Sequence, residues 1–267
     1  MKIVIFKGGL GNQMFQYVLN NYLKKNLNSR VLGFYGKKEM AQHNGLELNK
    51  AFKNIKLPKQ SIISNFYVLL NKIKNKLSGN NQVLKRDTYD ENKIIYDGYW
   101  HDLKFFDEET IDLFEFNDDI GSINVEHINK FSKYNSISVH IRRGDYMNNA
   151  SVYGNICTKE YYEKAFHYFN EKFENNFFVF FSDDIIWVKE NFNLTNALYI
   201  DNNKNDKSYI DMYLMSKCNH NIIANSTFSW WGAYLNRHKN KTVIMPSKWY
   251  NEHINTFNLF IDKWIKL

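Results

Sequence analysis

The chain has 267 residues, 44% of them hydrophobic and 24% charged, with only two prolines. That is a globular composition, long enough for one large domain or two small ones around a sizeable core. Lys and Arg number 35 against 28 Asp and Glu, a net charge of +7, which favours anionic partners: nucleic acid, a membrane surface or phosphorylated small molecules. Two cysteines, Cys157 and Cys218, exclude a disulfide framework and, with no secretory signal in view, point to a reducing cytoplasm. No stretch reaches the roughly 18–20 uncharged apolar residues of a membrane span.

Ile3 to Phe6 is a short apolar run ending in Gly8-Gly9-Leu10-Gly11, which reads as a buried strand. From Met14 a helical pattern follows, with Phe15, Val18, Leu19, Tyr22 and Leu23 on one face. Residues 48–86 hold nine Lys or Arg and no acid. Within them Phe66, Leu69, Leu70, Ile73 and Leu77 recur at helical spacing, with Lys72, Lys74 and Lys76 between. The plainer reading of this basic amphipathic helix is a solvated face over a core stripe; the sharper one is contact with an anionic membrane or a lipid-linked acceptor. Around residues 117–135 the pattern turns polar and irregular, which divides the chain into domains 1–132 and 133–267.

Beyond that point Ile137, Val139 and Ile141 alternate with Ser138 and His140 as a period-two strand, running into Arg142-Arg143-Gly144-Asp145. Phe177 to Phe181 is an unbroken apolar run with a polar exit at Ser182-Asp183-Asp184, followed by helical spacing from Ile185 to Phe192 and again from Tyr209 to Met215. Ile222 to Ala224 reads as a strand, Asn225-Ser226-Thr227 as the cap of a helix carrying Trp230 and Trp231, and Val243 to Met245 as a last strand. The tail around Leu259, Phe260, Trp264 and Ile265 reads as a closing helix, free to pack back on the first domain. Strand, polar loop and helix alternate in both halves, which argues for an α/β fold with parallel sheets and places ligands beyond the carboxyl ends of the strands.

Four constellations carry chemistry. Gly8 to Gln13 fails as a dinucleotide fingerprint, because Met14 holds the third glycine position and no acid closes a second strand. What remains is a glycine turn with backbone donors, either purely structural or, as Asn12 and Gln13 favour, in contact with a polar ligand. Arg142, in phase with His140, is suited to fork onto a diphosphate, while Arg143 points the other way and pairs internally, for instance with Asp145. Ser182, Asp183 and Asp184 fit a Mg²⁺ site, a carboxylate reader of guanine N1 and N2, or a plain helix cap. Asn225, Ser226 and Thr227 stand where a helix N-terminus would cradle phosphate. No Cys or His cluster has zinc spacing.

With these residues in hand, the sequence resembles the bacterial alpha-1,2-fucosyltransferases of glycosyltransferase family 11. The likeness runs through Gly8 to Tyr17, His43-Asn44-Gly45-Leu46-Glu47-Leu48, Gly98-Tyr99-Trp100, His140 to Tyr146, Ser182 to Asp184, and Asp211 to Asn236. Gly232 departs from it, standing where alanine is usual, and residues 50–86 match least well. The resemblance implies a GT-B-like fold, two Rossmann-like domains with parallel sheets facing a central cleft. It implies GDP-fucose as donor, held by the C-terminal half, inversion at the fucose carbon, and an α-1,2 link to galactose of a surface glycan such as an O-antigen or capsule repeat. It also implies no essential metal or other cofactor. By that likeness His140 faces the guanine or ribose, Arg142 the β-phosphate, Asp183 or Asp184 the guanine, and Ser226 and Thr227 the phosphate. Asn12 lies near the donor–acceptor junction. Asp145 is the expected general base. The acceptor is then a galactose-containing oligosaccharide, on a lipid carrier in one form, and the basic segment 48–86 is the expected point of peripheral contact with the inner face of the cytoplasmic membrane. Fucose transfer in another linkage is the enzymatic alternative. A basic nucleotide- or RNA-binding module is the non-enzymatic one, disfavoured because no RNA-binding signature is present.

Overall fold

The computed structural model describes residues 1–41, 44–77, 88–144, 146, 149–251 and 258–267. His43 and Asp145, and the side chain of Leu77, lie outside the described residues. The chain forms two compact units: Met1–Phe116 with Ile254–Leu259, and Asn117–His253 with Phe260–Leu267.

In the first unit β1 (Lys2–Ile5) lies between β2 (Val31–Phe34) and β3 (Ile95–Tyr96), all parallel. Helix α1 runs Leu10–Asn26, so Gly11, Asn12 and Gln13 belong to its first turn instead of preceding it. Gly8 has φ +76°, and a Cβ there would stand 2.8 Å from the Asn12 amide nitrogen and 3.3 Å from the Tyr99 ring. Glycine is required on both counts. Helix α2 (Ile62–Leu77) opens on a reciprocal pair, the Ser61 amide donating to Ser64 Oγ and the Ser64 amide to Ser61 Oγ. It docks on the sheet through Val68, which packs with Ile3, Ile5 and Leu32. The expected core stripe is overturned: Phe66, Leu69, Leu70 and Ile73 are all exposed. The sheet face needs only the opposite side of the helix, around Val68 and Ser64, and leaves the stripe outside.

In the second unit six strands are all parallel: β4 (Asn135–Ile141), β5 (Asn176–Ser182), β6 (Ala197–Ile200), β7 (His220–Ile222), β8 (Val243–Met245) and β9 (Ile265–Lys266). Their order is β6-β5-β4-β7-β8-β9. The chain builds outward from β4 to one edge, then returns to the other side of β4, the doubly wound arrangement with its switch between β4 and β7. Its longer helices among the described residues are α3 (Ser122–Phe131), α4 (Lys159–Lys172), α5 (Ile185–Asn191), α6 (Tyr209–Lys217) and α7 (Thr227–Tyr234). The apolar run of β5 serves both faces of the sheet. Phe178 and Phe180 pack with Phe166 and Phe169 of α4 and Val188 of α5. Phe177, Val179 and Phe181 pack with Ile210 and Leu214 of α6.

Two expectations shift here. Ile120 and Phe131 join that second core, so α3 goes with the second unit and the division falls at Phe116/Asn117 instead of 132/133. The described tail from 258 onward is a turn and strand β9, paired with β8, instead of a helix. Gly232 is no casual departure: a Cβ there would meet Met215 Cβ at 2.9 Å, so α6 and α7 approach at a point where alanine must push a neighbour aside.

Beneath these helices lies a buried polar network. The Asn221 amide donates to Ser138 Oγ at 2.6 Å and to the Met215 carbonyl at 2.9 Å, while its oxygen accepts from Asn236, which also donates to the Cys218 carbonyl. All three side chains, Ser138, Asn221 and Asn236, are buried, so each lost partner leaves a desolvated group unpaired. Asn221→Leu keeps the branched shape but strands three partners, and should destabilise the second unit by about 3 kcal/mol; a chemical denaturation midpoint equal to wild type would show the network to be incidental.

Candidate functional site: the crevice between β4 and β7

Neighbouring strands whose connections leave on opposite faces part at their carboxyl ends, and ligands bind in the gap. In the second unit that gap lies between β4 and β7. Val139 is in register with Ile222, so three residues on, Arg142 and Asn225 leave adjacent strands at the same level. The His140 ring lies 5.8 Å from that of Phe228, in the first turn of α7. The Tyr146 hydroxyl donates to the Asn225 carbonyl at 2.8 Å. The His140–Arg142 segment and the Asn225–Thr227 segment thus form one site.

His140 is 5% exposed, and its Nδ1 has no hydrogen-bond partner. Burial, helped by the Arg142 charge, lowers its pKa to about 3. The ring is therefore neutral at physiological pH, with a polar atom suited to a ligand. Arg142 is partly exposed, with Nη1 3.3 Å from Asp183 Oδ2 and its guanidinium 5.9 Å from the Tyr146 ring. Arg143 turns away, as expected of alternate positions, but its partner is Asp184, at 3.1 Å, and its guanidinium lies 3.8 Å from the centre of the Trp187 ring.

The acidic pair is already engaged. Asp183 accepts from the Arg143 amide at 2.9 Å and from the Gly144 amide at 3.0 Å, besides facing Arg142. It clamps the turn that aims Arg142, and a Cβ on Gly144 would stand 2.6 Å from its Oδ2. Asp184 caps α5 by accepting from the Trp187 amide, and Ser182 Oγ accepts from the Asp184 amide. The geometry thus favours holding and capping over base reading for these three residues. Asn225 is likewise committed: its amide donates to the Tyr153 and Trp249 carbonyls, and its oxygen accepts from Cys157. Its side chain staples the loop. Ser226 occupies the N-cap position of α7, yet its hydroxyl makes no capping bond. The N-terminus of α7 thus lacks a side-chain cap, with Thr227 beside it, and its positive end favours an anion.

Asn12 stands in the other unit, where β1 and β3 part at their carboxyl ends. Its Oδ1 accepts from His101 Nε2 at 3.0 Å. Burial lowers the His101 pKa to about 3, so the ring is the neutral Nε2–H tautomer. Gln13 is wholly buried, donating to the Gly8 and Gly45 carbonyls and accepting from the Glu47 amide. It ties the glycine turn to the segment after His43, a structural duty in place of the ligand contact expected of it. The bonds of Gln13 to Gly45 and Glu47 and of His101 to Asn12 gave no sign in sequence, because these partners are remote along the chain. Among the described residues no three His, Cys, Asp or Glu side chains are grouped to hold a metal.

Asp211, in the first turn of α6, also escaped the sequence reading, being the lone acid in an otherwise helical apolar stretch. Burial raises its pKa from 3.8 to about 7, against a hydrogen bond from Asn203 that lowers it. The folded value stands above the unfolded one, so the native state binds this proton more tightly. The resulting stability is complete below about pH 4 and is lost as pH rises through 7. Asp211→Asn should flatten a decline of up to about 1.4 kcal/mol per pH unit over that window, read from urea denaturation at successive pH values. The clamp is tested by hydrogen exchange: Asp183→Ala should speed exchange of the Arg143 and Gly144 amides by about tenfold or more, and unchanged rates would show that the turn holds itself.

The comparisons with known proteins agree with this architecture. A family model described as glycosyl transferase family 11 matches residues 1–267. The chain is 36% identical over 299 aligned positions to the O-antigen biosynthesis glycosyltransferase WbnK of Escherichia coli, covering 97% of this chain and 98% of that one. It is 33% identical to an alpha-1,2-colitosyltransferase of Escherichia coli, covering 100% and 99%. Among solved structures, the NodZ alpha-1,6-fucosyltransferase co-crystallised with GDP shares the fold at TM-score 0.55 and 12% identity, over 88% of this chain and 92% of that one. With a family match along its whole length and two full-length relatives above 30% identity, the chain belongs to glycosyl transferase family 11 and is a glycosyltransferase of the GT-B-type α/β class.

Proposed function

We propose that the chain is an inverting fucosyltransferase, moving L-fucose from GDP-β-L-fucose to the 2-hydroxyl of a terminal galactose in a bacterial surface glycan, without a metal or other cofactor. One observation carries the reading: a neutral His140, the clamped Arg142 and the uncapped N-terminus of α7 meet in the crevice between β4 and β7. A buried neutral ring beside a cation and a helix dipole suits a nucleoside diphosphate, with the polar ring atom on the nucleoside and the positive groups on the phosphates. The O-antigen role in the name of one relative and the alpha-1,2 linkage in the name of another support the glycan and the linkage.

In the proposed reaction the galactose O2 forms a bond to the fucose anomeric carbon while the bond from that carbon to the β-phosphate oxygen breaks on the opposite face. The β-linked sugar becomes α-linked. Negative charge grows on the β-phosphate, where Arg142 and the first amides of α7 stabilise it; such preorganised donors are worth roughly 3–4 kcal/mol each. Asp183 acts through Arg142, holding its turn in place. The 2-hydroxyl proton passes to a carboxylate, and Asp145, two residues beyond Arg143, is the base this reading assigns. Asn12, fixed by His101, is the residue of the first unit to which this reading assigns a sugar contact.

A second reading, transfer of colitose in the same linkage, is favoured by the relative named for it. Colitose lacks the 3-hydroxyl of L-fucose, so a site built to hydrogen-bond that hydroxyl discriminates between the donors.

The test is GDP release from the purified chain with GDP-fucose, EDTA and a panel of β-galactosyl disaccharides, the linkage read by NMR. A product fucosylated at galactose O2 is expected. Release only with GDP-colitose would transfer the reading to that sugar, and failure to bind any guanosine diphosphate sugar would overturn it. Arg142→Ala should lower turnover by roughly 100-fold or more; a near-normal rate would remove Arg142 from the proposed role.

A further inference from the structure

Helix α2 is amphipathic in the unexpected direction. It rests on the first unit's sheet through Val68, 1% exposed, with Ser64 buried beside it. At about 100° per residue, Ile62, Ile63, Phe66, Leu69, Leu70 and Ile73 fall on an arc of about 120° on the side opposite Val68. All six are exposed: Ile62 to 86%, Phe66 and Leu69 to 56%, and the others to nearly half. Lys74 stands just beyond one margin of this arc and Lys76 just beyond the other. Lys72, further round, is paired with Glu39 and lies over the Phe34 ring. A contiguous apolar face of this size is uncommon on a soluble protein and marks a contact surface.

We infer that this face of α2 is a docking surface for an anionic lipid bilayer. The helix carries both signals that stable interfacial attachment needs, an apolar stripe and basic residues at its margins. With the stripe submerged to the acyl boundary, Lys74 and Lys76 lie level with the headgroups, where each adds to the attraction of anionic lipid. The charge pattern selects this occupant over a second copy of the chain. Residues 48–86 contain nine Lys or Arg and no acid; two such faces brought together would set lysine rims against each other, on chains of net charge +7. No helix of the described residues is long and apolar enough to cross a membrane, so α2 lies in the surface instead of spanning it. The inference goes beyond the transferase reading and holds whichever sugar is moved.

The full chain is tested by co-sedimentation with phosphatidylcholine vesicles, with and without phosphatidylglycerol. Binding to the phosphatidylglycerol vesicles is expected, reduced by high salt and much weaker on phosphatidylcholine alone. The exposed-site variant Phe66→Ser/Leu70→Ser/Ile73→Ser should abolish it with unchanged thermal melting. Lys74→Glu/Lys76→Glu, which leaves the apolar stripe intact, should weaken it by about tenfold or more. Wild-type protein that stays with the supernatant, or serine and glutamate variants that bind as wild type, would overturn the inference. So would a dimer in light scattering that the serine variant dissolves while lipid binding is absent, since that would assign the face to a second copy.

Discussion

The site of the second unit rests on the neighbouring of β4 and β7. Strand β4 is laid first and built upon in both directions, so its carboxyl end lies beside the strand that begins the second wing. The connections on its two sides leave on opposite faces, which leaves a crevice between them. Two loops border that gap, the one after β4 and the one after β7. The sheet sets their level, and side chains set their shape. Asp183 reaches from the end of β5 to hold the first loop, and Asn225 staples the second to carbonyls of residues 153 and 249. Polar residues that look like ligand contacts therefore divide into those that hold and those that remain open.

This division explains which site features were legible in the sequence. The pairing of His140 with Arg142 follows from strand alternation, and the opposite aim of Arg143 follows with it. The apolar run of β5 is equally plain, because a parallel strand covered on both faces reads as a near-continuous apolar run. The duties of Asp183 and Asn225 were not legible. Residue type shows that a carboxylate or amide wants partners, but the partners of Asp183 lie 40 positions away in the chain and those of Asn225 up to 72 away. A capping role for Asp184 was foreseen as one option, since a local bond to the Trp187 amide needs only local spacing.

Helix α2 shows a different limit. Periodicity reports that a helix has an apolar face and is silent on what covers that face. The spacing of Phe66, Leu69, Leu70 and Ile73 suits a core stripe, and a core stripe is what such spacing ordinarily means. The three-stranded sheet is satisfied by Val68 from the other side, and only the folded arrangement reveals the stripe facing outward. The tail misleads for a related reason. Leu259, Trp264 and Ile265 offer apolar positions compatible with either period, and pairing with β8 decides for strand.

The central claim is that a guanosine diphosphate group binds the crevice between β4 and β7. Hydrogen–deuterium exchange of the whole chain with and without GDP tests it most directly, because it reports location without requiring the acceptor. Protection concentrated in residues 140–144 and 226–229 is the predicted result. Saturable GDP binding with protection elsewhere, and none in these two loops, would contradict the account.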